Sequence, residues 1–160
     1  MEQSFKEILW GQFGASIMML QNAINACTES EWHTKSQFWY KTYHTLFYLD
    51  YYSSTDPANF SPPSPFTLSE FDSSGALPDR VYSKTELLTY LQFGKQKTKQ
   101  LIMGLTEETV AHRFINVARN YSRLEIILYN MRHLQHHVGQ LNLLLVQSDD
   151  KSPGWVSKVE

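Results

Sequence analysis

The stretch SRLEIILYNMRHLQHHVGQLNLLLV, Ser122–Val146, is the one from which the fold is read. Ile127, Met131, Leu134, Val138, Leu141 and Leu145 recur at three- and four-residue steps, with Ile126 and Leu144 beside them. At roughly 100° per residue these positions make one apolar stripe along a helix. Ser122 with Glu125 has the capping-box spacing, in which a hydroxyl and a carboxylate each satisfy an amide left unpaired at a helix start. The same wheel sorts three histidines: His137 falls on the flank of the stripe, His133 at its edge, and His136 roughly opposite its centre, toward solvent. Residues four apart lie about 5 to 6 Å apart at Cβ, so His133 and His137 are spaced to reach a single ion.

The rest of the chain supplies partners for that stripe. Phe5, Ile8, Leu9, Phe13, Ile17, Leu20 and Ile24 repeat with helical period between Ser4 and Cys27, and Ser4 with Glu7 again has capping-box spacing. From about Ser36 to Ser53 a second helix carries Phe38, Trp39, Tyr40, Tyr43, Leu46, Phe47, Tyr48, Leu49, Tyr51 and Tyr52 with few charges, which requires burial on most sides. Ser83 with Glu86 opens a third helix through Leu87, Leu88, Leu91, Ile102 and Leu105, with a short extra turn at Thr106, Glu107 and Glu108. Between the second and third helices, Ser54 to Tyr82 holds Pro57, Pro62, Pro63, Pro65 and Pro78 among Ser, Asp and Gly, so it reads as one long connection. Phe60, Phe66, Leu68 and Phe71 give it side chains with which to pack. The expected architecture is all-α: a four-helix bundle over residues 1–147 with a long crossover, followed by a fraying tail at 148–160.

Composition narrows the classes of function. The chain has 160 residues, 42% of them hydrophobic, enough for one core and hardly two. Fourteen basic against sixteen acidic residues leave a formal charge of -2, which provides no field for nucleic-acid phosphates. No stretch approaches the roughly 20 apolar residues of a membrane span, and Met1 is followed by Glu2, Gln3 and Ser4, not by a positive region and an apolar run, so neither secretion nor membrane insertion is expected. Cys27 is the only cysteine, so no internal disulfide forms; the expected location is cytoplasmic.

A His-x-x-x-His pair is a weak metal signal by itself, and two ligands are too few. His44 is the candidate third. It shares a helix face with Tyr40, Phe47 and Tyr51, where a buried ring without a partner is costly, although a lone histidine among aromatics is more often a hydrogen-bonded core residue. His33 and His112 lie near helix ends and read as solvated or capping groups. Cys27 ends an apolar face and reads as a small buried residue, and Glu107 and Glu108 read as an acidic first turn.

Two segments together, Phe38-Trp39-Tyr40-Lys41-Thr42-Tyr43-His44-Thr45-Leu46-Phe47-Tyr48-Leu49-Asp50 and His133-Leu134-Gln135-His136-His137-Val138-Gly139-Gln140-Leu141, resemble the DinB-like family of metal-binding four-helix bundles. That family includes the YfiT-type metal-dependent hydrolases and bacillithiol transferases. The resemblance spans nearly the whole chain, but its motifs are sparse. It implies one ligand on the second helix, His44, and two on the last, His133 and His137, the second followed shortly by Gly139-Gln140. His136, beside the motif, is an additional imidazole, and the proline-rich connection is a place where family members differ.

Three imidazoles suit zinc, nickel, cobalt or iron and leave coordination positions open, the pattern of a catalytic site. The expected activity is that of a divalent-metal-dependent thiol S-transferase or hydrolase, with a thiolate or hydroxide as nucleophile. With Cys27 distant along the chain, thiol chemistry requires a low-molecular-weight thiol as cosubstrate. Gln140 is a candidate to orient a ligand ring or a water. The alternative is a non-catalytic metal-loaded module for stress response or dimerisation, and the resemblance implies a homodimer.

Overall fold

The computed structural model describes residues 1–34, 37–148 and 151–160. It is mostly helical, with α1 at Gln3–Ala26, α2 at Glu29–Trp32, α3 at Phe38–Tyr52, α4 at Lys84–Met103 and α5 at Arg123–Gln147. The four long helices close a ring in which α1 packs on α4 and α5, and α3 packs on the same two. The row predicted for the last helix mostly faces inward: Ile126, Ile127, Leu134, Val138, Leu141 and Leu145 are buried, Met131 and Leu144 are half-buried against them, and His136 is exposed. On α3 burial runs nearly all round, as its aromatic composition requires.

Of the three predicted capping boxes, two form. At Ser83 and at Ser122 the hydroxyl accepts from the amide three residues on, and Glu86 and Glu125 return to the cap amide. At the first helix no box forms: α1 begins at Gln3 with Glu2 as its cap, Ser4 Oγ donates to Glu2 Oε2 at 3.4 Å, and Glu7 Oε1 accepts from Gln3 Nε2 at 2.9 Å. Both carboxylates are thus engaged by side chains, and Ser4 lies inside the helix. The start expected near Ser36 falls on a residue outside the described ones, and the described helix opens at Phe38 after Gln37 in the left-handed region, φ 56°.

The all-α expectation needs one correction. Arg113–Ile115 (β1) and Asn120–Ser122 (β2) pair antiparallel, Phe114 opposite Tyr121. Strands of three residues are too short to display a two-residue alternation. The extra turn after α4 is a 3-10 turn at Thr109–Ala111. Sequence reading also missed α2, four residues capped by Thr28, whose hydroxyl accepts from Glu31 N at 3.2 Å. Its Trp32 is fully buried and donates through Nε1 to Tyr82 O at 2.9 Å, tying the end of the long connection to the helical core.

Across residues 54–82 the connection is irregular except for a 3-10 turn at Ser69–Phe71. It is held by aromatic packing: Phe66 stacks on Tyr90 with centroids 4.2 Å apart, and Phe71 meets Phe47 at 5.0 Å and Tyr51 at 4.8 Å. Nor does the described tail fray. Val159 N donates to Gly11 O at 3.0 Å, and Trp10 Nε1 donates to Glu160 O at 3.0 Å. Gly14 makes that approach possible, since a Cβ there would stand 2.3 Å from Val159 Cγ2. Among the described residues no helix is long and apolar enough to cross a membrane.

Candidate metal centre

Because α3 and α5 are ring neighbours, residues far apart in the chain meet between them. The imidazole centroids are 5.4 Å apart for His44 and His133, 4.7 Å for His44 and His137, and 4.5 Å for His133 and His137. One ring nitrogen from each of the three lies within 4.8 Å of the others. Three nearby histidines that can hold a metal ion are therefore brought together, as their spacing and the resemblance led one to expect. His33 and His112 stay outside the cluster and exposed, and Cys27 is buried with its Sγ near Thr28 O.

Second nitrogens fix the orientation of two of the rings. His44 Nδ1 stands 2.6 Å from Glu70 Oε2, so an Nδ1–H donated to this carboxylate leaves Nε2 with its lone pair free. His137 Nδ1 lies 2.8 Å from Gln140 Oε1, which can only accept, and the same tautomer follows. Gln140 also places Nε2 3.2 Å from His136 Nε2, so His136 supports the amide that supports the ring. His133 Nδ1 is buried with no hydrogen-bond partner, and its Nε2 faces His137 Nε2 at 3.1 Å.

That 3.1 Å separation is the fit test for a metal. Nitrogens bound to one tetrahedral zinc at 2.0 to 2.1 Å lie roughly 3.3 Å apart. A neutral His133 with its one N–H on Nε2 donates to His137 Nε2 at this distance; with that N–H on Nδ1, both Nε2 lone pairs are left for a shared cation. A second proton on either ring is opposed. Burial pushes His133 down to about 3, with repulsion from His137 and His44 adding to it. Burial likewise takes His137 down to about 4, against the hydrogen bond to Gln140, which pulls upward. Both rings are neutral near pH 7, the form that ligates. The donor set fits a divalent transition ion.

Glu70 was not foreseen. It lies in the proline-rich connection, where no periodicity marks it, yet its side chain is only 4% exposed and Oε1 has no partner. Around it the chain is pinned to α3: Tyr43 OH donates to Thr67 O at 2.7 Å, and Tyr48 OH to Glu70 O at 3.4 Å. The only prior sign was an acidic residue flanked by Phe66, Leu68 and Phe71, of which Phe66 is buried while Leu68 and Phe71 stay exposed.

Beside the imidazoles opens a cavity of about 560 Å³ reached by His44 and His133 and walled by Tyr48, Tyr52, Phe71 and Tyr129. Its far side is the hairpin turn, Asn116 to Arg119. Asn116 Oδ1 accepts from the amides of Ala118 and Arg119, which closes the turn. Arg119 donates to Tyr129 OH at 2.6 Å, with its guanidinium 4.6 Å from the Tyr129 centroid. Burial, and next the charge of Glu70, raise the Tyr48 phenol above its ordinary value, so it stays a neutral donor.

No family model, curated protein or solved structure matches this chain.

Proposed function

We propose that this chain is a metal-dependent enzyme, a thiol S-transferase or hydrolase, built as a four-helix bundle of DinB-like type with a long connection between its second and third long helices. The observation that carries the reading is the convergence of His44, His133 and His137 nitrogens within 4.8 Å beside a 560 Å³ cavity. A divalent ion such as zinc, nickel or iron, when bound, supplies the acidity that brings a water or thiol to its conjugate base near neutral pH. His44, His133 and His137 hold the ion. Glu70 and Gln140 keep the lone pairs of two of those rings aimed at it. Tyr48, Tyr52, Phe71 and Tyr129 exclude bulk water and pack a substrate, and Arg119 places a positive charge on the same cavity. Cys27 is buried and does not line the cavity, so a thiol nucleophile comes from a small cosubstrate.

Metal analysis of protein purified without added metal tests the first half of the proposal. One ion per chain, lost in His44→Ala and in His133→Ala, is the expected result; unchanged metal in both variants would discard the triad. The second half is tested by incubating metal-loaded protein with several small thiols and an electrophilic acceptor, and with hydrolysable esters and amides. Turnover that vanishes in His137→Ala supports the enzyme. Metal without turnover in any of these assays favours the non-catalytic metal-binding module.

A further inference from the structure

A second cavity lies past the C-terminal end of α3. Arg123, the first residue of α5, is 5% exposed, and its Nη1 donates to Ser54 O at 2.7 Å. None of the ion pairs among the described residues includes it. A buried charge without a counter-ion is costly, and the first turn of a helix, where the macrodipole is already positive, is a poor place for a cation. Burial alone holds the guanidinium below its ordinary value, with no carboxylate near enough to raise it.

Arg123 lines a cavity of about 460 Å³, within the size range of small-ligand sites, together with Lys97, His112, Thr55, Thr109 and Leu101. No Asp or Glu lines it among the described residues. The lysine is already compensated, since Lys97 Nζ lies 2.5 Å from Asp50 Oδ1. Among the described residues, Arg123 is therefore a guanidinium on the wall with no carboxylate in an ion pair with it, and one negative charge is the amount a monoanion supplies. The guanidinium fork matches a carboxylate by paired parallel hydrogen bonds. The hydroxyl of Thr55 adds a polar group to the wall, while Leu101 and Leu105 give an apolar surface for a short carbon chain.

We infer that this cavity, distinct from the histidine cluster, binds a small organic monocarboxylate whose carboxylate pairs with Arg123. The test uses full-length protein with butyrate as probe, n-butanol as its uncharged analogue and inorganic phosphate as the competing oxyanion. Butyrate is expected to raise the thermal midpoint saturably, with a Kd in the millimolar range, and to shift the Arg123 Nε–H resonance. n-Butanol should do neither, and phosphate should bind at least tenfold more weakly. The response should persist in His133→Ala, which separates it from coordination at the histidines, and vanish in Arg123→Met. Should Arg123→Met fail to fold, Leu101→Trp decides: it keeps the arginine, fills the cavity and is expected to weaken butyrate at least tenfold. Equal responses to butyrate and n-butanol, a butyrate response unaltered in Leu101→Trp or Arg123→Met, its loss in His133→Ala, or phosphate binding more tightly than butyrate would each overturn the inference.

Discussion

Replacing Glu70 by glutamine isolates the effect of one buried carboxylate on the histidine cluster. Its Oε2 lies 2.6 Å from His44 Nδ1, with the Glu70 side chain 4% and the His44 side chain 28% exposed. A hydrogen bond to a charged partner contributes roughly 1.5 to 3 kcal/mol, and partial exposure of His44 places this one toward the lower end. The amide preserves shape and can still accept from Nδ1–H, but it removes the negative charge that makes the imidazole a stronger donor to a cation. Loss of a carboxylate behind a ligating histidine typically weakens metal binding 10- to 100-fold, about 1.4 to 2.8 kcal/mol. The measurement is competition for zinc against a chromophoric chelator at pH 7 in wild type, Glu70→Gln and His44→Ala. The expected order is wild type tightest, Glu70→Gln weaker by a factor in that range, and His44→Ala weakest. If Glu70→Gln binds zinc within threefold of wild type while His44→Ala is crippled, the carboxylate does not act through His44.

Acid should weaken the metal-free protein before its carboxylates titrate. The folded state holds His133 near 3 and His137 near 4, below the ordinary 6.5, so as pH falls from about 6.5 the unfolded chain gains protons that the folded chain refuses. Stability is then lost progressively on acidification, by about 2 kcal/mol at pH 5 for the two rings after halving for solvent screening. Urea unfolding at pH 7 and pH 5 should show the drop, and a His133→Asn, His137→Asn double variant should flatten it. Ser83→Ala and Ser122→Ala should each cost about 1 kcal/mol, or roughly 2 to 4 °C in Tm, whereas Ser4→Ala, which caps nothing, should be nearly silent. Gly14→Leu should expel the tail from α1, read as faster tryptic cleavage after Lys158 with little change in far-ultraviolet circular dichroism.

Long elements with many repeats of one period were legible, and short or aperiodic ones were not. The stripe from Ile126 to Leu145 spans enough turns to define a helix, its buried face and the outward position of His136. Two of the box spacings marked real helix starts, while the third failed because Glu2 and Gln3 offered Ser4 and Glu7 nearer partners. Neither α2 nor the two strands is long enough for periodicity to emerge above chance. The docked tail rests on small residues, Gly11 and Gly14, whose meaning depends on what lies against them. At the site, His133 and His137 could be paired from one helix, whereas His44 was a candidate from its aromatic surroundings that the resemblance then strengthened. Glu70 belongs to a segment whose path is set by aromatic contacts between elements, for which sequence has no local signature.

The anchoring of Glu70 on the connection divides labour between two kinds of backbone. The imidazoles that could hold a cation rise from helices, whereas the carboxylate behind His44 and the Phe71 edge of the adjoining cavity ride on a ribbon tied down by ring packing. Rewriting that ribbon can retune grip and admission together while the imidazoles keep their positions, so descendants of one scaffold can diverge in chemistry through changes outside any helix.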